Sequence, residues 1–484
     1  MSLETYRKPD LIYQLEDKPP FVAALIGAIT HLLAIFVPMV MPALIVGTAL
    51  KFPPEMTAYL ISMAMVASGI GTFLQVNRFG IVGSGLLSIQ SVNFSFVTVM
   101  ISAGMAMKAG QAEPDFNVII STLLGVSTVG AFLVIAASRV LPYLQRVITP
   151  TVSGIVVLMI GLSLIKFGVV DFGGGFGAKM SGTFGTYQNI GLATLVLVVV
   201  IFLNCFGQPL LRMGSIAIGL IVGYIVAFSM GMVDLTPLRD MPLVTIPIPF
   251  KYGFMFDWTA FLAAGTIYLL SVLEAVGDIT ATAMVSDQPV EGPEFTSRLS
   301  GGVLADGIVS VIACVFGSLP LTTFAQNNGV IQMTGVASRH VGKLMALILI
   351  VLGLFPIIGR LFATIPSPVV GGAMILMFAM IAIAGIRMIM LYGMNRREAV
   401  IVATSLGLGL GVSYEPELIK HLPIQIQSLV DNPICVGGLT GILLNLFIPQ
   451  LKPSKESGNK ETAPIKIIYN KKPKKFAKLA KKDK

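Results

Sequence analysis

The chain reads as an all-α polytopic membrane protein with fourteen transmembrane segments, arranged as two inverted seven-span repeats. Three observations lead there: a strongly apolar composition, fourteen separable apolar segments, and a one-sided distribution of basic residues. Hydrophobic residues make up 55% of the chain and charged residues 12%, with mean hydropathy +0.86. Soluble domains carry about 25% charged residues, so this composition excludes that class.

The first half begins with two continuous apolar runs, 22–45 and 56–76, each about long enough to cross a bilayer as a helix. Segment three, 82–104, is a poor helix, because Gly83-Ser84-Gly85 and Gln90-Ser91-Val92-Asn93-Phe94 interrupt it. Segments four to seven follow at 117–138, 150–166, 189–206 and 212–232. Segments eight (258–281) and nine (298–317) each carry an acid within an apolar run, Glu274 and Asp306. Segment ten, 319–337, is broken like segment three, with Pro320 ahead of Ala325-Gln326-Asn327-Asn328-Gly329. Segments eleven to fourteen are 341–364, 367–386, 396–413 and 429–449.

With both termini cytoplasmic, 25 of the 33 basic residues fall inside, among them the twelve lysines from Lys452 onward. Without that tail the split is still 13 against 8, in the direction of the positive-inside rule. The acids and bases among the first eighteen residues leave no evident cleavable leader. The Lys-rich stretch 451–484 has too few apolar residues to fold and reads as a disordered tail, or as one loosely attracted to anionic lipid. It is no sign of nucleic-acid binding. Cys205, Cys314 and Cys435 show no metal spacing and read as small packing residues. No cofactor or metal is expected.

Segment five opens Pro150-Thr-Val-Ser-Gly154-Ile-Val-Val-Leu-Met159, and segment twelve Pro368-Val-Val-Gly-Gly372-Ala-Met-Ile-Leu-Met377, 218 residues on. A weaker echo links Gly85-Leu-Leu-Ser to Gly317-Ser-Leu-Pro. Two repeats of seven spans must enter the membrane with opposite orientation, because seven is odd. Inverted repeats with broken helices in matching places build midplane binding sites in secondary transporters. Segments three and ten are third in each half, and unwound backbone there is tolerated only where it is buried in protein or lines a cavity.

An ionised group at bilayer depth costs roughly 2.5–3.5 kcal/mol, so Glu274 and Asp306 point to a polar path or ligand. Asp278 lies four residues after Glu274, on the same helix face, and reads as a coupling acid or a structural helix-end partner. Asp306 reads as the proton carrier, or as a fixed hydrogen bond orienting segments eight and nine. His31 titrates near neutrality in principle, but a lone His in an apolar span is more often a packing residue.

The run Gln326-Asn327-Asn328-Gly329-Val-Ile-Gln-Met-Thr334-Gly335 resembles the signature of the nucleobase–ascorbate transporter family. Ser271-Val-Leu-Glu274-Ala-Val-Gly-Asp278, Leu304-Ala-Asp306-Gly, Thr30-His31 and Gln90-Ser-Val-Asn93-Phe94 also look like motifs of that family. The resemblance covers about Asp10 to Gln450 and is nearest to bacterial proton-coupled xanthine permeases; the Lys-rich tail lies outside it. It implies a core domain of segments 1–4 (22–138) and 8–11 (241–364). It also implies a gate and homodimer domain of segments 5–7 (139–240) and 12–14 (365–450). Residues 1–21 are then a cytoplasmic N-terminus in the bacterial inner membrane. The resemblance further implies that the backbones at Phe94 and Ala325 touch the base.

The chemistry is consistent with xanthine, a flat purine with N–H donors beside C=O acceptors. The Gln326 amide offers both donor and acceptor, and the Glu274 carboxylate accepts only. Phe94 or Phe324 stacks on the ring, while Asn93 and Asn327 orient their neighbours. Urate, guanine or uracil carriers remain alternatives, although uracil carriers of the family show Glu at the position of Gln326. An inorganic anion carrier of the same fold is a further alternative, which Glu274 opposes. No Ser-His-Asp set, metal cluster or nucleotide loop points to an enzyme.

Overall fold

The computed structural model describes residues 11–449 apart from 109–113, 145–148, 209–210, 213, 235–243, 291, 325, 391–392, 423–429 and 431. Ala325 and the Lys-rich tail therefore lie outside the described residues, as does the side chain of Gln326. All fourteen segments are present as helices or strand–helix pairs. The first half runs α1 (Phe21–Ala49), α2 (Pro54–Asn77), β1 (Gln90–Val92) with α3 (Ser95–Lys108), α4 (Phe116–Leu144), α5 (Pro150–Phe172), a short α6 (Gly175–Ser181), α7 (Tyr187–Phe206) and α8 (Ser215–Ser229). The second runs α9 (Trp258–Val285), α10 (Gly292–Val315), β2 (Leu321–Thr323) with α11 (Gln326–Thr334), α12 (Arg339–Gly353), α13 (Pro356–Ala363), α14 (Ser367–Ile389), α15 (Arg396–Tyr414) and α16 (Pro433–Phe447).

Local chemistry sets many of these boundaries. Pro occupies the first turn of α2, α5, α13 and α16, where its missing N–H costs no helical bond. The Asp257 carboxylate caps α9 through Ala260 N at 2.8 Å, and Asn395 with Glu398 forms a capping box on α15. Among the described residues, eight helices are long and apolar enough to span a bilayer, or nine if the pair α12–α13, bent by 73° ahead of Pro356, is one span. The other segments are shorter or more polar. Segment eleven, expected at 341–364, is divided ahead of Pro356 into α12 and α13. Cys314 and Cys435 are buried as packing residues, whereas Cys205 is exposed on α7.

The broken segments cross as a two-stranded antiparallel ribbon. Gln90 pairs with Thr323, Ser91 with Thr322 and Val92 with Leu321. The ladder extends symmetrically: Phe324 N donates to Ile89 O at 3.0 Å, and Asn93 N to Pro320 O at 2.9 Å. Each strand runs almost directly into a half-helix, so the positive N-terminal ends of α3 and α11 lie at the crossing. The irregular approach to β1 is buried, and its backbone is satisfied. Gly85 N donates to Gln75 O, Ser84 N to the Gln75 side chain, and Gly83 N to Gly301 O. Gly83 itself has φ +100°, a conformation L side chains rarely adopt.

The helices pack in two groups. In one, α2 lies against α12 and α1, and α4 against α10 and α9. In the other, α14 lies against α5 and α7, and α16 against α15 and α5. The α5–α14 contact joins the two segments that share the Pro-to-Met echo, and their backbones nearly touch. A Cβ on Gly154 would sit 2.8 Å from Gly385 O, and one on Gly385 2.7 Å from Gly154 O. Small residues are what allow membrane helices this approach.

The two ends of the bundle are distinct. At one, the chain before α1 meets the start of α12, and Arg78 Nη2 donates to Ser297 Oγ at 2.7 Å. At the other, Thr245 N donates to Leu354 O, Phe250 N to Val315 O, and Ile248 N to the Tyr59 hydroxyl.

Candidate functional site

Glu274 lies midway along α9, facing the ribbon crossing. The Ser95 hydroxyl, on the first residue of α3, donates to Glu274 Oε2 at 2.8 Å. Asn93 Oδ1 accepts from Ser95 N at 2.7 Å, so Asn93 fixes the group that holds Glu274. Together with Asn93, Phe94, Asp278 and Phe324, Glu274 lines a small cavity whose opposite wall is Val157 and Ile160 of α5 and Ile381 and Ala384 of α14. The cavity therefore sits between the two helix groups. Among the described residues no Lys or Arg lines it. The Phe94 ring closes against Phe378 of α14 edge to face, with centroids 5.6 Å apart.

Asp306 is held differently. Its Oδ1 accepts from Gln90 Nε2 and, at 2.8 Å, from Gln75 Nε2. Its Oδ2 accepts from the Thr322 hydroxyl at 2.8 Å and from Thr323 N at 3.3 Å. Four donors from α2, β1 and β2 thus converge on one carboxylate from α10. That matches the full acceptor capacity expected of an ionised group. Asp306 is 3% exposed and lines neither of the cavities described here.

His31 on α1 is buried and donates from Nδ1 to Asn327 Oδ1 at 2.6 Å. Asn327 Nδ2 in turn donates to Leu87 O. These bonds tie α1, the start of α11 and the approach to β1 into one unit. A parallel tie joins α9 to α11, where the Thr282 hydroxyl donates to Asn328 Oδ1 at 2.7 Å.

A larger cavity of about 520 Å³ lies at the end of the bundle that carries the chain before α1. Asp278 and Ala384 border both cavities, Gln332 and Met388 lie along the larger one, and the exposed Gly292 and Arg387 lie at its rim. A solute in the larger space would meet Asp278 on its way to Glu274.

The structure thus brings Glu274, Asn93, Phe94, Asp278 and Phe324 together in one cavity. It keeps Asp306, His31 and Asn327 just behind it, in the hydrogen-bonded frame. Gln326 begins α11, just after the ribbon crossing. Sequence reasoning missed Ser95 and Gln75. Gln75 is a polar residue near the end of an otherwise apolar span, the same signal that picked out Glu274. Ser95 carried no such signal.

Comparison with known proteins follows the same lines. A family described as the Permease family matches residues 22–418. The chain is 70% identical to the Escherichia coli (strain K12) xanthine permease XanQ over 449 residues, covering 93% of this chain and 96% of that one. It is 44% identical to XanP, a xanthine permease of the same strain, over 92% of this chain and 96% of that one. Among solved structures, murine Solute Carrier 26 family member A9, an anion transporter, superposes with a TM-score of 0.55 at 13% identity, covering 90% of this chain and 70% of that one. At that identity the likeness extends to the fold alone. A match of this length, on a chain whose signature segment starts at the cavity, means that this multi-pass membrane protein belongs to the permease family of nucleobase–ascorbate transporters.

Proposed function

We propose that the chain is a proton-coupled symporter that imports a purine nucleobase, with xanthine its substrate, by alternating access. The observation that carries this reading is the small cavity itself. It holds a carboxylate with no Lys or Arg among its described lining residues, it is flanked by two Phe rings, and it lies where two half-helices meet. An inorganic anion would want Lys or Arg there. A purine with ring N–H groups wants an acceptor, and a charged acceptor makes the stronger bond. The names of the relatives XanQ and XanP support xanthine over other purines.

In this reading Glu274 accepts from the purine N–H groups, and the Gln326 amide pairs with an adjacent N–H and C=O. Phe94 and Phe324 sandwich the ring, and the backbone at Ala325 supports it. Asp306 orients the crossing, with His31 and Asn327 beside it. Proton coupling falls to Glu274 and Asp278, the acids that face the cavities. The group containing α1–α4 and α9–α13 is the core and slides against the gate of α5–α8 and α14–α16. The larger cavity is then the cytoplasmic vestibule of an inward-facing carrier, with both termini cytoplasmic. Lipid and a second gate domain would cover the exposed apolar residues Val198, Phe202, Ile221 and Phe228 of α7 and α8.

Uptake of a radiolabelled purine panel into cells lacking their own carriers, with and without a protonophore, tests the proposal. Protonophore-sensitive xanthine accumulation is expected, and accumulation of none of the purines would refute it. Gln326→Glu replaces an amide donor with a second acceptor. It is expected to weaken xanthine binding by about 5- to 150-fold, since leaving a buried polar group unpaired costs about 1–3 kcal/mol, and to reorder the competing purines. An unchanged competitor ranking would remove Gln326 from the site.

A further inference from the structure

The stretch just before α1 is pinned far more firmly than a leader into a first helix needs to be. Ile12 N and Tyr13 N both donate to Gly335 O, at 2.8 and 3.1 Å, at the residue that follows α11. Ala337 N donates to Tyr13 O at 2.9 Å, and Arg339 N to Leu15 O at 3.1 Å. The Ser338 hydroxyl donates to Asp17 O at 2.6 Å, and Arg339 pairs with Glu16 at 2.6 Å. Leu15 is 2% exposed although its neighbours Gln14 and Glu16 are exposed. Leu11 packs on a cluster that contains Ile331 of α11, Val285 at the end of α9, and Leu87.

What this stretch grips is the far end of the half-helix that begins at Gln326. That helix has nine residues, too few to be stable on its own, so tertiary ties set its position. Asn327 and Asn328 hold its first turn through His31 and Thr282. The residues that follow its last turn, 335–339, are held by residues 11–17.

We propose that residues 11–17 are a positioning strap for α11, with Leu15 its anchor and the Glu16–Arg339 pair and Ser338 its fasteners. Releasing the strap lets α11 tilt about its first turn and moves Gln326 relative to the purine. The proposal rests on the reading of α11 as a substrate-binding element. It assigns a specificity-setting role to a stretch outside the membrane spans.

The test uses the full-length carrier with Leu15→Ser, with Leu15→Met as the conservative control. Arg339→Glu alone is compared with Glu16→Arg combined with Arg339→Glu. Xanthine Kd on purified protein and KM and Vmax in vesicles are measured beside amide hydrogen exchange of residues 326–338. Leu15→Ser is expected to raise Kd and KM together by about tenfold, to leave Vmax per carrier within about twofold, and to speed exchange in α11. Leu15→Met and the charge-swapped pair should restore all three. Wild-type Kd and exchange in Leu15→Ser would overturn the strap. So would a fall in carrier abundance with survivors at wild-type KM, because that marks a folding role only. If the wild-type protein binds no xanthine, the purine reading fails instead, and the exchange measurement still decides whether residues 11–17 position α11.

Discussion

Glu274→Gln is expected to abolish xanthine binding and uptake while the carrier still reaches the membrane. The change keeps the size of the side chain but replaces one acceptor oxygen with a donor. That donor either faces the purine N–H groups, donor to donor, or makes the Ser95 hydroxyl turn and accept where it now donates to Glu274 Oε2 at 2.8 Å. A hydrogen bond to a charged group contributes about 1.5–3 kcal/mol, so losing one lowers affinity about 10- to 150-fold, and an added donor-to-donor contact lowers it further. Binding of labelled xanthine to purified protein, beside membrane abundance, checks the outcome. Glu274→Asp, which keeps the charge on a shorter arm, should retain part of the binding. Normal uptake by Glu274→Gln would remove the carboxylate from the site.

Asp306→Asn is expected to lose binding, counterflow and accumulation together. The carboxylate satisfies two side-chain amides, a hydroxyl and a backbone N–H. An Asn amide sets its own NH2 against at least one of these donors, at a cost of several kcal/mol in a site this buried. The ribbon register Gln90–Thr323 and the approach to β1 then lose their common anchor. Retained counterflow with lost accumulation would instead make Asp306 the proton carrier. Comparing counterflow and net uptake in the same vesicles separates the two. Thr322→Val removes one donor and should give a milder form of the same defect.

Much of this arrangement is legible in the residues. The breaks in segments three and ten announce themselves through Gly83, Gly85 and Pro320 among polar neighbours, because such residues interrupt an apolar helix. The acids announce themselves because charge at bilayer depth is costly. The Pro-to-Met echo marked segments five and twelve as counterparts in two repeats, but it revealed neither that α5 and α14 pack together nor how closely Gly154 and Gly385 approach. What stayed hidden depends on long-range pairing. Nothing in Gln90-Ser-Val or Leu321-Thr-Thr states that the two pair, nor that Gln75 reaches Asp306. Segment nine begins at Gly292, six residues ahead of the expected start at Arg298, because Glu294 and Arg298 pair one turn apart and make a polar first turn helical. The strap before α1 carries no periodicity, since a short extended stretch on a loop leaves no pattern of its own.

The central claim is that a proton gradient drives xanthine through the Glu274 cavity. Purified carrier in liposomes, with the lumen made alkaline relative to the outside, tests it most directly. Labelled xanthine should accumulate above its external concentration, a protonophore should collapse the accumulation, and Glu274→Gln liposomes should show none. Xanthine that only equilibrates across the wild-type membrane whatever the pH difference, or accumulates equally well with Gln at position 274, would contradict the account.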